Sequence, residues 1–526
     1  MSSSNQPFQD DETMDEEHQD VMLDAAEAGE EILQDDDAHM ESDDDNEDPS
    51  ALQEIQLQND SVAHFDTHKD SIFCIAQHPR LPDIVATGGG DDLAYVFNST
   101  PPDQPVLPAS YQTQPAEPTE RETLNTISKL EGHTDSVNAI TFTLPHGEFV
   151  VTAGLDGRLR AYRDTSGNAS GQKWTFLAEA QEVEEINWLV PCPHPDYPNT
   201  VAIGANDGSV WVYTINAADK ASPLTIVQAF YLHTMASTAG AWTPDGKLLA
   251  TVSEDGTFYV WDVFSEAAVA GVGQGEGGQA VVGLTPEDQR FAVEGGLYSV
   301  AVAPSGTFAA VGGAGGIVKI VGLPRIGADP SVTAGAKGAG ASSKNRGGKR
   351  GGGPTGGNST ASSTGAGQAG QILASLATQS DGVETLSFAA PPLTLLAAGS
   401  VDGSIALYDT AHRFAVRRHI KEAHEEYAVV KVEFLPPSSV SSAGDAAGVP
   451  AGSWLLTSAG MDGVVRRWDT RGGTAAAAQG LAAEWKGHRG EGEGGGVLGF
   501  IQGGGIGRVV TAGDDGVSLV FPATTS

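Results

Sequence analysis

The stretch Asp255-Gly-Thr-Phe-Tyr-Val-Trp261 is one copy of a seven-residue phrase in which a tight turn is followed by a short apolar strand. Asp-Gly supplies the positive φ angles of a hairpin turn, and the alternation after it predicts a half-buried strand. Five further copies have the same form and begin at Asp156, Asp207, Asp402, Asp462 and Asp515. Two degenerate copies begin at Asp91 and Gly315. Eight copies at intervals of 48 to 87 residues predict a repeat architecture.

Each copy predicts one four-stranded blade of a β-propeller, with the second blade spanning about Ile127 to Tyr162. Two apolar runs precede each turn, so every copy offers three strands and a variable fourth. Only five residues follow the last predicted strand, which ends at Phe521 and leaves no room for another. We therefore predict that about Leu57 to Phe65 supplies the outer strand of the final blade, which removes an open sheet edge. The predicted fold class is all-β, a single eight-bladed propeller closed by an N-terminal strand.

The net charge is −40, and the first 50 residues carry half of it, because they hold twenty Asp or Glu and no Lys or Arg. So charged a segment, with few aromatic residues, cannot bury a core. Residues 1–54 are therefore predicted to be a disordered acidic tail, followed by a propeller over residues 55–526. Flexible insertions are expected at about 100–122, 326–370 and 438–452, and the second of these is basic and rich in Gly and Ser.

Several classes of function are disfavoured. Two cysteines are too few for a disulfide framework, and no stretch of 18 apolar residues occurs, so we expect an intracellular protein without a membrane span. We also expect it to be a monomer. Its expected location is the cytoplasm, with the nucleus as an additional location. Direct nucleic-acid binding is not expected, since phosphate contacts need clustered Lys and Arg. Nucleophile-elbow, zinc-protease, CxxC and phosphate-loop motifs do not occur, so no enzyme activity, catalytic residue, metal or cofactor is predicted.

The repeated phrase resembles the WD repeat. Gly132-His133 and Gly487-His488 match its Gly-His position, and Trp261-Asp262 and Trp468-Asp469 match its namesake dipeptide. In that family a His, a Ser or Thr, the turn Asp and a Trp form a hydrogen-bonded set within a blade. The resemblance implies complete sets in the fourth and seventh copies, with members His233, Thr251, Asp255 and Trp261, and His424, Ser458, Asp462 and Trp468. It implies structural roles for Asp156, Asp207, Asp255, Asp402, Asp462, Asp515, His133, His233, His424, Trp261 and Trp468.

A narrower resemblance is carried by the acidic leader and four stretches, 68-HKDSIFC-74, 86-ATGGGDDLAYVF-97, 383-VETLSF-388 and 396-LAAGSVDGSIALYD-409. These are similar to the angio-associated migratory cell protein family, whose fungal members are dedicated chaperones of a large-subunit ribosomal protein of the universal L-sixteen type, called L-ten in eukaryotes. The resemblance implies this basic protein as partner and, indirectly, the pre-60S particle. The alternative is a scaffold or substrate adaptor in signalling or ubiquitin transfer, because a fold does not determine its function.

The partner-binding face can be predicted from the loops. In a propeller the loops between blades and the Asp-Gly turns share one face, here the top, and the other loops share the bottom. The stretches 100–122, 264–278, 326–370 and 438–452 all fall in bottom loops, which leaves the top free for docking. Carboxylates beside the turns and at the channel would bind Lys and Arg, and two aromatic residues would add apolar or cation–π contacts. The predicted partner-binding residues are Glu182, Glu184, Glu254, Glu294, Asp381, Glu384, Asp514, Phe73 and Tyr298.

Two alternatives remain open at this stage. The carboxylates of the top face can instead be ordinary solvated loop residues of an acidic protein, although the binding-face interpretation is favoured. The basic insertion, from Lys337 to Arg350, can be a plain linker or can occupy an acidic surface when no partner is bound. Alignment of the strand starts on Val137-Asn138 places Glu182, Glu184 and Glu384 at channel-facing positions.

Overall fold

A computed structural model describes residues 58–102, 122–166, 173–272, 280–326, 368–436, 451–471, 480–488, 495–503 and 507–522. The predicted acidic tail and most of the three predicted insertions lie outside the described residues. Within them, eight antiparallel sheets of four strands each are formed. In seven of these sheets the four strands follow one another in the chain from the inner to the outer edge, and in the eighth the outer position is taken by the first strand of the described residues.

The strands are numbered along the chain, and each blade has an inner, a second, a third and an outer strand. The inner strands are β2 (Ile72–Gln77), β6 (Val137–Phe142), β10 (Ile186–Pro191), β14 (Ser237–Trp242), β18 (Leu297–Val302), β22 (Val383–Phe388), β26 (Val429–Phe434) and β30 (Val497–Gln502). The second strands are β3 (Ile84–Gly89), β7 (Phe149–Gly154), β11 (Thr200–Ala205), β15 (Leu249–Ser253), β19 (Phe308–Gly313), β23 (Leu395–Ser400), β27 (Leu455–Gly460) and β31 (Arg508–Gly513). The third strands are β4 (Ala94–Asn98), β8 (Leu159–Asp164), β12 (Val210–Ile215), β16 (Phe258–Trp261), β20 (Ile317–Gly322), β24 (Ile405–Asp409), β28 (Val465–Asp469) and β32 (Ser518–Pro522). The outer strands are β5 (Thr126–Leu130), β9 (Trp174–Ala180), β13 (Leu224–Phe230), β17 (Ala280–Leu284), β21 (Ile372–Ala377), β25 (Ala415–Ile420), β29 (Leu481–Trp485) and, for blade eight, β1 (Ala63–Phe65).

Helical structure is sparse among the described residues. One short helix, α1 (Glu266–Val269), follows the third strand of blade four, and 3-10 turns cover Ala314–Gly316 and Ala451–Trp454. Within the same part of the chain, the structure contains no helix long and apolar enough to cross a bilayer.

The eight sheets form a ring because each inner strand lies beside the inner strand of the next blade, from β2 and β6 round to β30 and β2. Apolar residues from neighbouring sheets fill the space between blades, as Val252, Phe258, Phe291, Leu297 and Val311 do between blades four and five. Burial of these side chains supplies the main driving force for folding. The eight-bladed propeller predicted from the repeated phrase is confirmed.

The N-terminal strand closes the ring. Strand β1 pairs with β32, with Ala63 opposite Val520 and Phe65 opposite Ser518. The Phe65 side chain is fully buried and stacks on Phe97 of blade one, with ring centroids 4.2 Å apart. The predicted closure is confirmed, although the strand is shorter than predicted and begins at Ala63 instead of near Leu57.

Each sequence copy is offset from its blade by one strand. The stretch that opens a copy pairs with the third strand of the preceding blade, so Thr126–Leu130 belongs to blade one and Trp174–Ala180 to blade two. The predicted span of blade two, which begins at Ile127, is therefore wrong by this strand. The reason is that an outer strand is held by pairing with the strand before it, which a local pattern does not encode.

The predicted hydrogen-bonded set is complete in blade seven. The Nδ1 atom of His424 lies 2.8 Å from Asp462 Oδ1, and its Nε2 atom lies 2.8 Å from Ser458 Oγ. Trp468 Nε1 donates to the same hydroxyl at 2.9 Å. The carboxylate can only accept, so Nδ1 carries the proton and Nε2 accepts from Ser458. Burial lowers the pKa of His424, so the neutral ring is the folded form.

Blade four differs from the prediction by one inserted hydroxyl. His233 Nδ1 lies 2.6 Å from Thr257 Oγ1, which in turn donates to Asp255 at 2.6 Å, so the turn carboxylate reaches the ring only through Thr257. Thr251 bridges His233 Nε2 and Trp261 Nε1, each at 2.8 Å. Burial lowers the pKa of His233 from 6.5 to about 4, against the opposing charge of Asp255.

The remaining residues assigned structural roles hold turns. His133 contacts Asp156 at 3.0 Å, and Asp515 contacts His488 at 3.1 Å. Asp207 accepts from the backbone N–H of Ser209. In blade six, Asp402 accepts from two backbone N–H groups and two hydroxyls, which lowers its pKa to about 2 although burial opposes the shift; the donors come from Ser380 and Ser404.

Candidate partner-binding face

The two faces of the ring differ in charge. The described loops of the top face, which join blades or join second to third strands, carry 24 Asp or Glu and five Lys or Arg. The described loops of the bottom face carry eight Asp or Glu and seven Lys or Arg. Among the described loop residues, the excess of acidic over basic side chains is therefore almost entirely on the top face. A concentration of one charge sign attracts oppositely charged partners over distances beyond direct contact.

A β-bulge shapes the mouth of the channel in every blade. In blade one Ile72 pairs with Gly89 and Cys74 with Gly88, so Phe73 between them has no partner on the second strand. The same shift follows the first residue of each inner strand. Such a bulge re-aims the side chain of the extra residue. The bulged residues form what we call the channel-mouth ring, made of Phe73, Asn138, Asn187, Thr238, Tyr298, Glu384, Val430 and Leu498.

One part of this ring is used for structure. The side chains of Asn138, Asn187 and Thr238 each donate to the backbone carbonyl of the first residue in the next inner strand, at 2.6, 3.1 and 2.7 Å respectively. These bonds tie blades two to five together at the channel. The bulged side chains of blades two, three and four are therefore already hydrogen-bonded within the protein.

Another part of the ring brings three predicted residues together. The Tyr298 hydroxyl donates to the Gly295 carbonyl at 2.7 Å, and the charges of Glu254 in blade four and Glu384 in blade six both act on this hydroxyl. Burial, followed by the charges of Glu254 and Glu384, raises the pKa of Tyr298. Glu384 is open to the channel yet surrounded by protein, and this desolvation, with the charge of Asp381, raises the pKa of its carboxyl.

The other predicted top-face residues lie around the same mouth. Phe73 is 40% exposed at the bulge of blade one. Asp514 accepts from the Ser71 hydroxyl at 2.6 Å and so links blades eight and one, which occupies part of its carboxylate. Glu294 is exposed in the loop that precedes the inner strand of blade five.

The predicted register of blade three is wrong. Its inner strand begins at Ile186, three residues later than the alignment places it, so Asn187 takes the bulged position. Glu182 and Glu184 therefore lie in the preceding loop and not at the bulged position of the inner strand. Burial, followed by the charge of Glu182, raises the pKa of Tyr213, a residue of the third strand. A separate top-face cavity of about 660 Å³ is lined by Gln181, Glu182, Val183, Glu184, Glu185, Asn206 and Asp207.

Val430 and Leu498 were not among the predicted residues. They are partly buried, at the bulged positions of blades seven and eight. They occupy the same sequence position as Phe73, Tyr298 and Glu384, directly after the first apolar residue of the inner strand. That position could have identified them from the sequence. In the described part of the chain, no group of three or more His, Cys, Asp or Glu is placed to hold a metal ion.

The fold and the loops define a WD-repeat propeller whose top face carries the distinguishing side chains. The WD domain, G-beta repeat family matches residues 124–163 and 225–262. The crystal structures of Chaetomium thermophilum Sqt1, free and bound to the N-terminus of the ribosomal protein L10, are each 50% identical to this chain with a TM-score of 0.71. They cover 89% of this chain, which in turn covers 98% and 100% of theirs.

Two curated relatives are more distant. The ribosome assembly protein SQT1 of Saccharomyces cerevisiae is 34% identical over 245 residues, a match that spans 45% of this chain and 50% of that protein. The human angio-associated migratory cell protein is 24% identical over 466 residues, which are 88% of this chain and 80% of that protein. The chain belongs to the family of the Sqt1 proteins and the angio-associated migratory cell protein.

Proposed function

We propose that this protein is a ribosome-assembly chaperone that captures the basic N-terminal segment of an L10-type ribosomal protein on its top face. The charge difference between the two faces carries the proposal. The described top loops hold 24 acidic and five basic side chains, which suits a cationic partner. The described bottom loops hold eight acidic and seven basic side chains and are close to neutral. The complex of C. thermophilum Sqt1 with the N-terminus of L10 supports the choice of client.

The mechanism is electrostatic capture followed by exchange. A basic segment of a newly made ribosomal protein binds nucleic acid through counterion release, independently of sequence. An acidic face neutralises the segment and raises its rate of association, because complementary potentials steer the encounter. Release follows when the rRNA of the pre-60S particle competes for the same cationic side chains. The protein acts as a binding scaffold, and no step consumes a nucleotide.

The test is a charge reversal on the top face, Glu184→Lys with Glu384→Lys. Both side chains are exposed, one in the blade-three loop and one in the channel-mouth ring. At about 1 kcal/mol for each reversal, the Kd of a labelled N-terminal peptide of the ribosomal protein should rise roughly 30-fold. Fluorescence anisotropy measures the Kd, and circular dichroism verifies that the propeller is folded.

The matched control reverses two exposed carboxylates of bottom loops, Glu122→Lys with Asp196→Lys, and so changes the net charge equally. It should leave the Kd within about twofold of the unsubstituted protein, because the added charges lie on the far face. Equal losses in both variants would show that only net charge matters. No loss in the top-face variant would remove the top face as the capture site.

A further inference from the structure

The channel-mouth ring is divided into a polar and an apolar part. On blades two to four the bulged side chains are Asn138, Asn187 and Thr238, and all three are bonded to the next blade. On blades five, seven, eight and one they are apolar or aromatic. We call this second set the apolar arc, and its members are Tyr298, Val430, Leu498 and Phe73. Glu384 of blade six stands within the arc, between Tyr298 and Val430 in the order of the blades.

The apolar arc is not required by the fold. Blades two and three make the same bulge with Asn, so the backbone accepts a polar side chain at this position. The hydrophobic clusters formed between blades by the described residues include none of the four arc side chains. All four are partly or largely accessible, and Phe73 is 40% exposed. Apolar side chains grouped at an accessible mouth, with a polar surround, are typical of a binding site.

The surroundings of the arc indicate the chemistry of its occupant. Glu254 and Glu384 belong to the blades that precede and follow the blade of Tyr298. Tyr298 is held at the mouth by its hydrogen bond to Gly295, and both carboxylate charges act on its hydroxyl. A cation bound in this sector can therefore interact with two carboxylates and an aromatic side chain. The next blades in order supply Val430, Leu498 and Phe73, which offer only apolar surface. Two neighbouring parts of the channel mouth therefore differ in chemistry. One suits a positively charged side chain, and the other suits an apolar side chain of the same peptide.

We propose that the apolar arc binds an aliphatic or aromatic side chain of the client segment, next to a Lys or Arg held by Glu384 and Glu254. The proposal rests on the proposed function, because it specifies what the same face recognises. The binding site would then require a basic residue close to an apolar residue in the client segment. A segment that contains only basic and other polar residues would lack the apolar contact. The charges bring the segment to the face, and the apolar contact selects the correct one.

The test replaces two arc residues with the side chain that blades two and three carry, Val430→Asn with Leu498→Asn. The matched control makes the same two changes on outer strands, Val416→Asn with Leu481→Asn, where the side chains are 51% and 43% exposed. The probes are a synthetic N-terminal peptide of the L10-type protein and a version with each aliphatic or aromatic residue replaced by Ser. Isothermal titration calorimetry gives each Kd at low and at high salt.

We expect the arc variant to bind the native peptide about tenfold more weakly than the control does, by the same factor at both salt concentrations. The Ser-substituted peptide should bind the arc variant and the control equally, because its apolar contact is already lost. Equal binding of the native peptide to both proteins would overturn the inference. If the top-face charge reversal still weakens binding in that case, the proposed function stands; if it does not, the proposed function fails as well.

Discussion

The buried His233 makes the stability of the propeller sensitive to acid. Its neutral ring donates through Nδ1 to Thr257 and accepts through Nε2 from Thr251, and burial lowers its pKa from 6.5 to about 4. Between these two values the unfolded chain binds a proton that the folded chain does not. The free energy of unfolding therefore falls as pH falls from 6.5 towards 4.

The size of this effect follows from the shift. Each pH unit within the window costs about 1.4 kcal/mol, so the contribution of His233 lost between pH 7 and pH 5 is about 2 kcal/mol. The perturbation that isolates it is His233→Gln, because Gln379 stands at the equivalent position of blade six and donates to Ser404 there. Glutamine does not titrate, so the variant lacks this part of the pH dependence.

The assay is urea unfolding followed by tryptophan fluorescence at pH 7 and at about pH 5, with both proteins at each pH. The unsubstituted protein should lose about 2 kcal/mol more than His233→Gln on acidification, whatever the stability of the variant at pH 7. Equal losses in the two proteins would show that His233 is not held neutral in the folded state, and the argument from burial would then be refuted.

Two further predictions concern closure and capture. Phe65→Ala should lower the free energy of unfolding by about 3 to 5 kcal/mol, because this fully buried ring joins β1 to blade one. In thermal denaturation the control Phe176→Ala, at an outer-strand position that is 50% exposed, should have a much smaller effect, and equal effects would count against closure by β1. Client affinity should fall as pH falls, because the raised pKa of Glu384 brings its protonation to a higher pH than that of an ordinary Glu. The Kd of Glu384→Gln should depend less on pH than that of the unsubstituted protein, and identical pH profiles would exclude this carboxylate from the site.

The blade count and the ring closure could be predicted because they depend on local features. Asp-Gly turns and the apolar strands after them recur in the sequence, and the partial alternation in the segment that ends at Phe65 indicates a further strand ahead of the first copy. The bulged positions of blades one, five and six were correctly aligned for the same reason. Their first apolar residues, Ile72, Leu297 and Val383, directly follow a polar residue or glycine that ends the top loop.

The register of blade three could not be predicted in this way. Val183 and Ile186 are both apolar and both buried, and the blade carries neither the His nor the hydroxyl that marks the position in blades four and seven. Pairing with Ala205 decides in favour of Ile186, and this is a contact between strands. The role of Thr257 in blade four could not be predicted for a related reason. Its hydroxyl contacts His233, which is 24 residues away in the sequence, and a local pattern does not indicate that contact.

The proposed function requires a basic client segment to lie on the top face at the channel mouth. Photo-cross-linking tests it most directly, with a photoreactive residue in the N-terminal peptide of the L10-type protein and mass spectrometry of the linked fragments. We predict cross-links to the top loops 285–296 and 378–382 and to the inner-strand residue Glu384. Cross-links confined to bottom loops such as 243–248 and 303–307 would show that the segment does not bind the top face.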